Sequence, residues 1–130
     1  MVLAFTGDVS FAEGYANMES LKQYGLDIKN CFDQELLREM QEADIFLINN
    51  EFTYSDRGIP LEDKEYTFRA KTESVKYLDE LGVDIVSLAN NHTYDYGEVS
   101  LLDTLQTLET AGVPYIGAGR DLEEAMKPVY

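Results

Sequence analysis

The stretch VDIVSLANNHTYDYG, residues 83–97, runs from an apolar segment straight into a cluster of polar side chains. Ile85 to Leu88 reads as a strand. On its N-terminal side, ESVKYLDELG (73–82) sets Val75, Leu78 and Leu81 on one helical face, with Thr72 as N-cap and Gly82 as stop. On its C-terminal side, residues 98–111 carry Leu101, Leu105 and Leu108 on one face, and Gly112 with Pro114 closes the helix. A strand set between two helices is the unit from which α/β domains are built.

The alternation continues outward from this unit. Val2 to Phe5 predicts a first strand that meets a turn at Gly7-Asp8. FDQELLREMQEA (32–43) predicts a helix with Phe32, Leu36, Met40 and Ala43 on its apolar face. Ile45 to Ile48 follows as a buried strand ending in Asn49, Asn50 and Glu51. TYSDRGIPLEDKEY (53–66) is rich in turn residues and charge and reads as a surface loop. Beyond the central unit, YIGAG (115–119) suggests a strand, DLEEAM (121–126) a helix, and Val129-Tyr130 the opening of another strand. The expectation is one α/β domain whose mostly parallel sheet is flanked by helices, with a chain that stops before the domain does.

Composition narrows the function classes. The net charge of −15, from 25 acidic against 10 basic residues, repels phosphate backbones, so no nucleic acid binding is expected. No apolar run is long enough to cross a bilayer and no signal peptide is present. The single cysteine, Cys31, rules out an internal disulfide.

Chemistry collects at three strand ends: Asp8 in TGDVSF, Asn50-Glu51 in INNEF, and Asn90-Asn91-His92 in LANNH. Ligands of open parallel sheets bind beyond the carboxyl ends of the strands. Each end offers oxygen or imidazole donors, which suit a hard or borderline divalent metal. Other arrangements lack their signatures. Ser10 or Ser87 with His92 and Asp95 has no G-x-S-x-G elbow. Cys31 has no cue for activation by His92. GAGRD (117–121) lacks the Lys-Ser/Thr of a phosphate-binding loop.

At these clusters the sequence resembles the bacterial capsule-synthesis, poly-γ-glutamate (CapA-like) family, within the calcineurin-like metallophosphoesterase superfamily. The stretches that carry the resemblance are AFTGDVSF (4–11), INNEFTYSDRG (48–58), YTFRAKTESVKYLDELGVDIVSLANNHTYDYG (66–97) and LETAGVPYIGAGRDLEEAMKPV (108–129). The resemblance implies that residues 1–130 are the N-terminal part of such a domain, a partial αββα sandwich. It implies a divalent metal centre of manganese, zinc or iron, with Asp8, Glu51 and Asn91 as ligands and His92 beside the transferring group. Asn50, Asn90 and Asp95 would support that centre, and Arg69 would contact substrate. Ser10 stands where ordinary metallophosphoesterases have a histidine, and the superfamily's other histidine ligands come from a later half. The chain alone is therefore expected to be inactive.

The resemblance further implies an anionic polymer or phosphoester as substrate. It also implies membrane-associated capsule machinery as partner, and an extracytoplasmic site of action with an anchor outside this chain. A homodimer through the open sheet edge is a further expectation. Two other readings remain: a non-catalytic polymer-binding subunit of a capsule synthase or exporter, and a cytoplasmic metallophosphoesterase acting on small substrates.

Overall fold

A computed structural model describes residues 1–130. Its core is a four-stranded sheet built from β1 (Leu3–Val9), β2 (Ile45–Asn50), β5 (Ile85–Ser87) and β6 (Tyr115–Ile116), in the order β1-β2-β5-β6, all parallel. Parallel neighbours require crossovers. These are supplied by α1 (Ala16–Gln23) and α2 (Gln34–Glu42) after β1, by α3 (Lys76–Leu81) before β5, and by α4 (Gly97–Ala111) before β6. A short α5 (Leu122–Ala125) follows. A two-stranded parallel pair, β3 (Thr53–Tyr54) with β4 (Arg69–Ala70), lies beside α4. The α/β architecture is the one that the alternation of elements predicts.

The helices cover one face of the sheet. Phe46, Ile48 and Val86 point into that side and are at most 1% exposed, against Leu78 of α3 and Leu105 and Leu108 of α4, all at 0%. Each such side chain contributes about 1.5–3 kcal/mol by leaving water. The alternate residues behave differently. Leu3, Phe5 and Ile45 lie on the opposite face and are 46%, 65% and 41% exposed, and no residue of β1, β2, β5 or β6 on that face is buried. The sheet is thus half of a sandwich, and Ile45 to Ile48 is buried on alternate residues rather than throughout.

Local detail departs from expectation where a backbone boundary shifts a pattern. β1 does not turn at Gly7-Asp8; it continues to Val9, with a register irregularity between Phe5 and Asp8. α2 starts at Gln34, capped by the Asp33 side chain on the Glu35 amide at 2.8 Å. Phe32 therefore precedes the helix, and the buried stripe runs through Leu37 and Met40 while Leu36 is 47% exposed. Thr72 opens a 3₁₀ turn without capping anything. Residues 53–54 are strand instead of loop, α1 was not foreseen, and Val129-Tyr130 is exposed without strand structure.

Candidate functional site

The carboxyl ends of β1, β2 and β5 are joined by side chains. Asn49 Nδ2 donates to Asp8 Oδ1 at 2.7 Å, and Asn90 Nδ2 donates to Asn49 Oδ1 at 3.0 Å. Asn90 Nδ2 also reaches the Asn50 carbonyl at 3.0 Å, while Asn90 Oδ1 accepts the His92 amide at 3.0 Å. A row of amides and carboxylates therefore runs across the three strand ends. Parallel pairing, with the one-residue irregularity in β1 between Phe5 and Asp8, puts these residues side by side: Asp8 stands opposite Asn49, and Asn49 opposite Ser87, three residues before Asn90.

Glu51 follows directly on β2 and sits beside Asp8. Burial pushes its carboxyl up from the usual range, and the neighbouring Asp8 charge pushes it further, with His92 and Lys64 pulling the other way. Two carboxylates this close form a like-charge pair that a divalent cation complements. The Asn91 side chain, in the turn that follows β5, is exposed and free of hydrogen bonds within the chain. These donors fit a hard cation in chemical type. They fit in number only in part, since no group of three or more His, Cys, Asp and Glu side chains could hold a metal.

The His92 ring is held by two neighbours. Its Nδ1 lies 2.7 Å from Asp95 Oδ2, and its ring stacks on Phe68 at 4.1 Å between centroids. Phe68 is itself braced edge-on by Tyr15. Asp95 is fully buried and accepts the Phe68 amide at 2.6 Å, His92 Nδ1 and the Lys64 ammonium. Its backbone carbonyl takes the Leu61 amide at 3.0 Å. The segment between β3 and β4 is thus strapped over the site. The outer nitrogen of His92, Nε2, makes no hydrogen bond within the chain.

The remaining sequence candidates take different places. Asn50 is fully buried, donates to the Phe52 carbonyl at 2.9 Å, and its Oδ1 has no partner. Ser10 accepts the Ala12 amide at 3.2 Å and so shapes the chain after β1. Arg69 lies over the Tyr96 ring at 4.3 Å and donates to the Arg57 carbonyl, with no carboxylate partner. Two contributors were not foreseen, Lys64 and Asn49. Lys64 lies within the acidic run LEDKEY and its partner is 31 residues away, so local sequence carries no signal for it. Asn49 was legible only as one more polar residue at a strand end. Next to Asp8 and Ser10 opens a cleft of about 480 Å³, walled by Phe11, Met18, Leu21, Tyr24, Ile28 and Phe32.

Comparison with known proteins gives a consistent pattern. The family described as "Bacterial capsule synthesis protein PGA_cap" matches residues 2–130. The capsule biosynthesis protein CapA of Bacillus anthracis is 38% identical over 68 residues, 52% of this chain and 16% of that protein. A probable polyglutamine synthesis accessory protein of Mycobacterium tuberculosis is 36% identical over 89 residues, 68% of this chain and 23% of that protein. The PGA biosynthesis protein CapA of Bacillus subtilis is 36% identical over 67 residues, 52% of this chain and 18% of that protein. The chain therefore spans between 16% and 23% of the length of these relatives.

Proposed function

The chain belongs to the bacterial capsule synthesis family PGA_cap, and from that premise we propose that its strand ends form part of a metal-dependent hydrolase or transferase site. The site would serve the making or export of capsular poly-γ-glutamate. What supports the reading most is the row Asp8–Asn49–Asn90, with Glu51 set beside Asp8 and its carboxyl raised. Asp8, Glu51 and Asn91 hold a divalent cation in this reading: manganese, zinc or iron. When bound, such a cation makes a coordinated water more acidic and offsets negative charge at a phosphoryl or amide centre. His92, oriented by Asp95 and Phe68, presents Nε2 to the leaving oxygen. Arg69, stacked on Tyr96 and free of carboxylates, contacts the anionic substrate.

The relatives are named for capsule, polyglutamine and PGA synthesis, and the proposal accordingly sets this chain with membrane-associated capsule machinery on the outer side of the cytoplasmic membrane. No helix of the chain is long and apolar enough to cross a membrane. A second reading, a non-catalytic polymer-binding subunit, is favoured by one observation: the acidic and imidazole donors do not gather in threes.

Calorimetric titration with manganese and with zinc separates the two. The hydrolase reading expects binding by the chain that is lost in Asp8→Asn and in Asn91→Ala. If neither metal binds while labelled poly-γ-glutamate does, the polymer-binding reading replaces it.

A further inference from the structure

The cleft beside the strand ends differs in chemistry from the site it adjoins. Its volume, about 480 Å³, lies within the roughly 300–1,000 Å³ of small-molecule pockets, which are mostly apolar with a few polar groups. α1 gives one wall through Met18 and Leu21, and the 3₁₀ turn Ile28–Cys31 gives another. The reversal between them passes through Gly25 and Leu26, both in the left-handed region with φ of +70° and +61°. A leucine stays in that region only where its surroundings hold it, and such positions gather at ligand clamps.

Asp8 is the only charged residue among those lining the cleft, and none of the chain's 10 basic residues lines it. A segment of a polyanion entering here would lose water, meet no cation of the chain and face the Asp8 carboxylate. An uncharged hydrocarbon chain meets none of these costs and gains by leaving water. The lining changes where β1 leads into it. The ionised Asp8 can only accept, while the Ser10 hydroxyl accepts the Ala12 amide and keeps its own hydrogen to give. A hydroxyl head satisfies both. We propose that the cleft binds the alkyl chain of an amphiphile, with the polar head at Asp8 and Ser10. This site goes beyond the hydrolase reading and stands without a bound cation.

The 4 methionines report on it when their methyl groups carry carbon-13. Met18 lines the cleft, Met40 is buried in α2, and Met1 and Met126 are exposed. Titration of the metal-free chain with 1-butanol, 1-hexanol and 1-octanol is expected to shift Met18 saturably and to leave the others in place. Affinity is expected to rise about fourfold for each added methylene. Octanol should slow alkylation of Cys31, the only cysteine and part of the lining. Its carbinol protons, and not its terminal methyl, should show Overhauser contacts to Ser10. Phe5→Ser, on the bare face of the sheet, should bind octanol unchanged.

A Met18 resonance unmoved up to the solubility of octanol overturns the proposal, as does an affinity independent of chain length. Equal shifts at all the methionines, or loss of the response in Phe5→Ser, assign the binding to general apolar surface and overturn it too. A Met18 resonance that moves with protein concentration alone gives the cleft to a second copy of the chain instead. Contacts from the terminal methyl to Ser10 reject the placement of the head. Manganese titration of the same samples separates the two ideas. Octanol binding without metal binding rejects the hydrolase reading alone, and metal binding without octanol binding rejects the amphiphile site alone.

Discussion

Asp95 has no exposed surface and satisfies an ammonium, an imidazole and a backbone amide with one carboxylate. Asp95→Ala leaves these donors without an acceptor and should cost about 3 kcal/mol in urea unfolding, near the lower end for a broken buried pair because Lys64 keeps some exposure. Asp103→Ala removes a pair whose Arg57 side chain is 66% exposed, and should cost about 1 kcal/mol or less. Glu51 has the opposite sign. Its carboxylate is disfavoured by burial and by Asp8, so Glu51→Gln should raise metal-free stability at neutral pH in urea unfolding. The same substitution should abolish any rise in melting temperature given by manganese, and a preserved rise would remove Glu51 from the ligand set. At this scale the sequence disclosed residues whose chemical type is unusual at a strand end, such as Asp8, Glu51 and His92. Lys64 stayed hidden because its role exists only across the fold, in the contact with Asp95.

The segment joining β3 to β4 behaves as a strap because a few backbone positions let it close. Gly58 adopts a φ of +89°, and a Cβ there would lie 2.2 Å from the Tyr96 carbonyl oxygen. Gly58→Ala should therefore destabilise the protein by about 1–3 kcal/mol. Hydrogen exchange should quicken first at the Leu61 and Phe68 amides, which both bond to Asp95; uniform quickening would show that the strap does not open as a unit. Where the strap leaves β3, Ser55 and Arg57 grip Asp103 of α4. The Arg57 guanidinium holds the Asp103 carboxyl below its usual range. The unfolded chain takes up that proton first, so the stabilisation is full above the ordinary carboxylate range and is lost as the pH falls toward the folded value. Asp103→Asn should flatten the acid limb of stability against pH, and an unchanged slope would assign that limb to other carboxylates. Elements with a clear periodicity and a glycine stop were legible in the sequence, α4 with Leu105, Leu108 and Gly112 above all. α1 was not, because it buries only Met18 and Leu21 and has no side-chain cap.

The whole molecule carries an imbalance between its two sheet faces. Alternating burial in β2, with Phe46 at 1% and Ile45 at 41%, records a sheet packed on one side only. A short apolar run such as Ile45–Ile48 reads the same in sequence whether one face or both are covered, so its periodicity did not show this half-open state, which only the family resemblance implied. Leu3, Phe5 and Ile45 form an exposed apolar surface on a chain of net charge −15, and the two properties oppose each other in solution. The bare face favours contact between copies, while the charge drives them apart. Salt decides the balance, since the screening length falls from about 10 Å at 0.1 M to about 3 Å at 1 M. The expected outcome is that light scattering shows monomers at low salt and association at high salt, with Leu3→Ser/Phe5→Ser removing the association. Phe5→Ser should shift urea stability by no more than about 0.5 kcal/mol, as for an exposed position. Phe46→Ala should cost about 3–5 kcal/mol, as for a filled core. If Phe5→Ser costs as much as Phe46→Ala, the face is covered in solution and the half-sandwich description fails. If association is already complete at low salt, apolar contact outweighs the charge and the screening argument fails instead.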